Sequence, residues 1–367
     1  MLVMAVVAIG GGIYSLYQRN PKTAPVIFAA SMAGLLARAY QLSSEKAKDA
    51  KKGGRISFET LRQVELAPYA SWLKENVRGH DAVVDSIVKR IQQSLRLSSP
   101  NRTLGAFLLV GPTGTGKTFL AELVAKALYP ESELVNLRMN QYKMPEDVMT
   151  LLGPPPGQVG YEVGGTLTRP VLEDPYRVII LDEIDKCHPD IRDCLYNVLD
   201  TAECREKSSG KSVQFNACAI FATCNAGVAS LRQIAAQVSD PVLRLGRMRD
   251  ALQSAAGFDK AFLARFDEIF LMDELRPVNV AEVACLQLAK FWRGYGIEVT
   301  WASPELIVEA VGKNQEFSDY GVRQLAHLVH NITEPMIEQA KRQGATKVKL
   351  DRDPKSGEFK VVVLEKA

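Results

Sequence analysis

The chain has 367 residues, with 45 Lys and Arg against 42 Asp and Glu and a formal net charge of +3. That length allows two or three structural units and a sizeable core. So small a charge imbalance gives no bulk electrostatic reason for a nucleic-acid partner, and none is expected. The six cysteines (187, 194, 204, 218, 224 and 285) form no C-x-x-C pair and no disulfide-like spacing, so they read as reduced thiols of a cytosolic compartment. Cys187, His188 and Cys194 lie close in sequence but match no common zinc spacing.

The first 42 residues differ in kind from the rest. Met1 to Tyr17 carry no charge, and Ala24 to Ala37 are again almost wholly apolar. Between them Gln18 to Thr23 form a polar turn with Arg19, Asn20, Pro21 and Lys22. Each apolar segment is at or just below the minimum length of a bilayer span. A secretory signal would begin with a basic n-region, and a soluble helical hairpin would need a polar face that Met1 to Tyr17 lack. Residues 1–42 are expected to form a membrane-anchoring helical hairpin, with Ala30 and Gly34 as a small-x-x-x-small contact, in preference to a single span or an in-plane anchor. Arg38, Lys46, Lys48, Lys51, Lys52 and Arg55 outnumber the two basic residues of the turn. That excess places the remainder in the cytoplasm, at an inner or cytoplasmic membrane. Residues 43–60 read as a basic, flexible tether.

Residues 61–274 read as an α/β domain. Val83, Val84, Ile87, Val88 and Ile91 make a helical stripe after Gly79-His-Asp81. Ala106 to Val110 form a short apolar run of buried-strand length, followed by Gly111, Pro112, Thr113, Gly114, Thr115, Gly116, Lys117 and Thr118. This stretch fits G-x-x-x-x-G-K-[ST] in full, and helical apolar spacing resumes at Phe119 and Leu120. Strand, glycine turn and helix make a phosphate cradle, in which backbone N–H groups and a helix N-terminus meet the anion. Lys117 is expected at the β- and γ-phosphates of ATP, and the Thr118 hydroxyl on Mg²⁺. Val178 to Leu181 form a second buried strand ending in Asp182 and Glu183. Asp182 is expected in the Mg²⁺ shell and Glu183 as the base for attacking water.

Leu134 to Leu137 and Ala217 to Thr223 read as further strands, and Ile191 to Leu199 as a helix. Gly153 to Gly165, rich in glycine and proline, reads as an ordered loop of little side-chain bulk. Strands alternating with helices predict a doubly wound parallel sheet, the P-loop α/β class. Residues 275–367 read as a smaller helical lid domain. Leu306, Ile307, Ala310 and Val311 form one stripe there, and Leu325, Leu328, Val329 and Ile332 another. A β-hairpin signal at Asp353 to Gly357 closes the chain.

As a set, these motifs resemble an AAA+ ATPase of the Clp/Hsp100 type, and in particular the second ATPase module of ClpB/Hsp104 disaggregases. The matching residues are Gly79-His-Asp-Ala-Val83, the P-loop, Gly153 to Tyr161, Leu181 to Lys186 and His188-Pro-Asp190. Ala222-Thr-Cys-Asn225, Phe262 to Glu268 and Tyr320-Gly-Val-Arg323 complete the set. The resemblance runs from about Arg78 to the C-terminus and implies one ATPase module, without the membrane segments. It implies that Asn225 is sensor 1, that Arg265 is an arginine finger for a neighbouring subunit, and that Arg323 is sensor 2. A finger acting in trans implies a homo-oligomer, by family a hexamer. The resemblance also implies that Gln158 and Val159 sit in a pore loop that touches a protein substrate. Gln158 departs from the family's usual aromatic, and Ala264 from its usual Asn. No tripeptide like the family's protease-docking motif is found, since Leu245-Gly246 is followed by Arg247. Two functions remain in view: a membrane-anchored enzyme that remodels proteins, or a nucleotide-switched membrane scaffold.

Overall fold

The computed structural model describes residues 66–97, 99, 101–315, 323–353 and 356–366. The expected membrane hairpin and tether, residues 1–60, lie outside them. Among the described residues no helix is long and apolar enough to cross a membrane. The described chain divides into two compact units, one ending at Glu274 and one beginning at Leu275.

The first unit opens with α1 (Ala67–Asn76), with Pro68 in its first turn, where a missing N–H costs nothing. In α2 (Asp81–Leu97), Val84, Ile87, Ile91 and Leu95 are buried at spacings of three and four, the apolar stripe of an amphipathic helix. Then follow β1 (Gly105–Val110), α3 (Lys117–Leu128), β2 (Val135–Arg138), α4 (Asp147–Leu152), α5 (Thr168–Glu173) and β3 (Val178–Asp182). The chain continues through α6 (Pro189–Thr201), the short antiparallel pair β4 (Glu203–Arg205) and β5 (Ser212–Gln214), and β6 (Ala219–Cys224). Helices α7 (Val228–Gln237), α8 (Pro241–Ala256) and α9 (Lys260–Ala264) lead to β7 (Glu268–Leu271).

Strands β2, β3, β6, β1 and β7 lie side by side in that order, and every pairing is parallel. A parallel sheet covered on both faces should show near-continuous burial, and β1 and β6 are buried at every position. The period of two sorts their side chains. Ala106, Leu108, Val110, Ile220 and Ala222 pack into one core with α6, α8 and α9. Phe107, Leu109, Ala219 and Phe221 pack into the other with α1, α2 and α3. The rings of Phe107 and Phe221 lie 5.1 Å apart across adjacent strands.

Strand β7 was not legible as a strand, and polar ties seat it. Asp267 accepts the Ala106 N–H at 2.9 Å and pairs with Arg90 of α2 at 2.5 Å, while Ser86 donates to Glu268 at 2.7 Å. Strand order reverses beside β1, so its carboxyl end opens the crevice where such sheets bind ligands.

The second unit holds α10 (Pro277–Gly294), β8 (Glu298–Ala302), α11 (Pro304–Gln315), α12 (Arg323–Arg342), β9 (Ala345–Arg352) and β10 (Phe359–Lys366). Trp292, Leu288, Leu306, Ile307, Leu325, Val329 and Leu350 fill its core. The hairpin β9–β10 is antiparallel as the turn signal predicts, but β8 adds a third strand parallel to β9. Only Val299 and Ala302 of β8 are buried, so the strand presents no apolar run to the sequence reader.

Candidate nucleotide site

The site is built at the ends of β1, β3 and β6. The loop after β1 must turn sharply and let other backbone approach. Gly111 sits against the Met272 carbonyl, leaving no room for a Cβ, and its N–H donates to the Cys224 carbonyl at 3.1 Å. Gly116 caps α3 in the left-handed region at φ 92°, which glycine adopts without strain. Among the described residues, the backbone amides of Thr113, Gly114, Gly116 and Lys117 meet no acceptor in the protein. Unpaired amides at a helix N-terminus are the donor set a polyphosphate requires, so the loop fits that group.

Lys117 is buried, and its ammonium folds back to donate to the carbonyls of Gly111 and Pro112 at 2.7 Å each. Burial pulls its pKa down to about 8, opposed by Asp182, Asp185 and Glu183 nearby. A charged amine held by two neutral carbonyls is under-compensated, and phosphate oxygens would serve it better. His80 closes the other side, its ring Nε2 donating to the Thr115 carbonyl at 3.1 Å. Burial lowers its pKa, which favours the neutral ring.

The acids are held by short polar links. Thr118 donates to Asp182 Oδ1 at 3.0 Å, so the hydroxyl and carboxylate expected to share a cation already touch. Thr223, buried in β6, donates to the same oxygen at 2.7 Å and accepts the Glu183 N–H at 2.8 Å. Glu183 has φ 57° and ψ 53°, a left-handed conformation that costs a non-glycine residue about 1 kcal/mol or more. Its carboxylate meets two side-chain amides. Asn140 donates to Glu183 Oε2 at 2.9 Å and Asn225 approaches Oε1 at 3.4 Å. The arrangement can hold a dication on one carboxylate and align a water on the other.

Among the expected residues, the structure thus gathers the P-loop, Lys117, Thr118, Asp182, Glu183 and Asn225 into one place. Arg265 lies apart from them within its own chain. Its guanidinium lies 4.3 Å from the Tyr196 ring centroid, donates to the Ala261 carbonyl at 2.6 Å and faces Asp200 at 3.5 Å. Arg323 begins α12, and its side chain lies outside the described residues. Gln158 and Val159 sit in a run from Pro156 to Val163 that is exposed throughout. Sequence reading missed Asn140 and Thr223. Asn140 carries no signal, and Thr223 reads as an ordinary β-branched strand residue.

Comparison with known proteins agrees with this geometry. The model of the AAA domain (Cdc48 subfamily) matches residues 102–269. The ATP-dependent Clp protease ATP-binding subunit ClpE of Lactococcus lactis is 36% identical over 283 residues, which cover 75% of this chain and 37% of that protein. The chaperone protein ClpB of Rhodopirellula baltica is 32% identical over 295 residues, covering 77% and 32%. The ClpE subunit of Bacillus subtilis is 32% identical over 280 residues, covering 74% and 39%. The chain spans about a third of the length of these relatives. With the nucleotide cradle, the paired acids and these relatives together, the chain carries an AAA domain, similar to those of the Clp proteins, and is an ATPase.

Proposed function

We propose that the protein is a membrane-anchored, ring-forming ATPase that uses hydrolysis to pull on or dismantle a protein at the cytoplasmic membrane face. One observation carries the reading. The exposed run Pro156 to Val163 lies between β2 and β3, and the first turn of the same connection, Met139–Gln141, carries Asn140, which touches Glu183. A load on the run therefore acts on a segment that also bonds the water-activating acid. Val159 is fully exposed at its tip, an apolar side chain that gains contact only from something outside the subunit.

With nucleotide bound, Lys117 would exchange its two carbonyls for phosphate oxygens, and Thr118 and Asp182 would hold Mg²⁺. A dication held there would supply neutralisation of the charge developing on the phosphoryl oxygens. Glu183 takes the proton of the attacking water while Asn225 and Asn140 fix its carboxylate. Arg265, released from Asp200, supplies positive charge to a neighbouring subunit's site, and by family the ring is a hexamer. Residues 1–42 hold the assembly in the bilayer.

Gln158 in place of an aromatic supports the second reading, a nucleotide-switched scaffold that grips no chain. One comparison separates the two. Full-length protein in membranes should resist a high-salt wash, and its ATPase should rise with unfolded casein and lose that rise in Val159→Ala. Release by salt removes the spanning anchor, and casein-independent turnover in both proteins favours the scaffold.

A further inference from the structure

The exposed run does not stand alone. It is gripped at both stems by the tip of the β4–β5 hairpin. At the first stem, the Lys207 N–H donates to the Leu152 carbonyl at 2.9 Å and the Ser208 hydroxyl to the Pro154 carbonyl at 2.8 Å. At the second stem lies Glu206, whose side chain is wholly buried. A buried carboxylate needs donors, and Glu206 has them on both oxygens. Oε1 accepts the Gly165 N–H at 3.4 Å, and Oε2 accepts the Ser209 hydroxyl. The approach is so close that a Cβ on Gly164 would stand 2.6 Å from Oε1, and Gly164 itself has φ 75°. The hairpin's own base is continuous with two other parts of the machinery. It follows α6, whose Asp200 faces Arg265, and it leads into β6, which ends beside Asn225.

Nothing in ATP chemistry requires a buried carboxylate at that point. We propose that Glu206 is a positioning residue that couples the exposed run to hydrolysis, locking the 153–165 loop onto the β4–β5 hairpin so that the two move as one unit. This rests on the reading of that loop as the substrate-contacting element. A load on Val159 then reaches the site by two routes, through Asn140 on one side of the loop and through Glu206, the hairpin and β6 on the other. A carboxylate suits the task because its oxygens accept from the loop and from the hairpin at once.

The test uses full-length protein, with unfolded casein as the probe. Glu206→Ala should leave basal ATPase within about twofold of the parent and lower the casein-stimulated-to-basal ratio about fivefold or more. Glu206→Gln, whose amide oxygen still accepts the Gly165 N–H, should recover most of that ratio. Ser209→Ala removes one donor at an exposed position and should give an intermediate loss without threatening the fold. Hydrogen exchange without casein should quicken in Glu206→Ala at the amides of 153–167 and 206–211 and stay unchanged at 111–118. A coupling ratio lost in Val159→Ala but kept in Glu206→Ala overturns the latch and leaves the substrate loop standing. A ratio indifferent to both substitutions overturns the loop reading and the latch with it. Exchange at 153–167 that is the same in parent and Glu206→Ala overturns the latch whatever casein does.

Discussion

The strand ends that hold the acids and the loop that hangs between β2 and β3 are built on opposite terms. Asp182, Glu183, Thr223 and Asn225 sit at the ends of two adjacent strands whose apolar residues are buried, and Thr223 links both acids. The 153–165 loop has eight successive exposed residues, positive φ at Gly153, Gly157, Gly160 and Gly164, and is tied at its stems to the β4–β5 hairpin. One region has geometry to within a hydrogen bond, and the other has reach. Chemistry that must place a water needs the first, and contact with varied partners is served by the second. Substitutions at the strand ends should therefore change rates steeply, and substitutions in the loop should change coupling while sparing the basal rate.

The largest effect is expected at the base. Glu183→Gln keeps the size and hydrogen-bond reach of the side chain but cannot take a proton, and should slow hydrolysis about a hundredfold or more. ATP affinity, measured by fluorescent-nucleotide displacement, should change little, because Lys117 and Asp182 are untouched. Normal turnover would remove Glu183 from its role and leave the comparison without its rigid half.

Next in size is a pH effect at Lys117. Its pKa of about 8 in the unliganded protein lies below the ordinary 10.5, with burial as the main cause. A polyphosphate favours the ammonium, so binding returns that pKa toward its ordinary value and takes up a proton wherever the free site is neutral. Affinity should thus be flat below pH 8 and fall above it by up to tenfold per unit, about thirtyfold by pH 9.5. Calorimetry of ATP binding in two buffers of different ionisation heat should show proton uptake at pH 9 and little at pH 7. A flat profile to pH 9.5 would mean that the buried amine is not what meets the phosphates.

Much of the rigid half was legible because it is written in runs. Ala106 to Val110 and Val178 to Leu181 are uninterrupted apolar stretches, and the polar residues that follow stand out against them. The hidden parts are those where a side chain acts across strands. Thr223 is chemically ordinary until register sets it beside Asp182, and Asn140 becomes relevant only because Glu183 turns left-handed. β7 and β8 hide for a different reason, since charged or half-exposed positions break their pattern and partners elsewhere seat them. The loop's low side-chain bulk was legible in its glycines and prolines, but its clamp was not. Glu206-Lys-Ser-Ser-Gly210 reads as a polar turn, and nothing in the order of residues says that its first carboxylate is buried.

Thr223→Val tests that hidden link with a smaller expected effect. The substitution keeps shape and removes both hydrogen bonds, leaving the Glu183 N–H without its acceptor at a cost of about 1–3 kcal/mol. If that cost falls on the catalytic alignment, turnover should drop about tenfold, and Thr223→Ser should restore most of it. The melting temperature should move less than turnover does. Equal turnover in all three proteins would show that β3 alone orients the acids, with no help from β6.

The smallest effect belongs to the loop tip. Gln158 is exposed, and its amide meets an extended chain through hydrogen bonds with far less apolar area than a ring. Gln158→Tyr adds that area at each subunit of a ring without touching the stems, where Glu206, Ser208 and Leu152 hold the loop. Unfolding of a tagged reporter should rise about twofold, in keeping with an exposed aromatic contact worth about 0.5 kcal/mol. Basal ATPase should stay unchanged, because nothing at position 158 bonds to Asn140 or to either acid. A change in basal rate equal to the change in unfolding would mean that the tip and the strand ends are one rigid body. Reporter unfolding at zero in both proteins would instead leave the loop as a contact between copies, and the scaffold as the better account of the molecule.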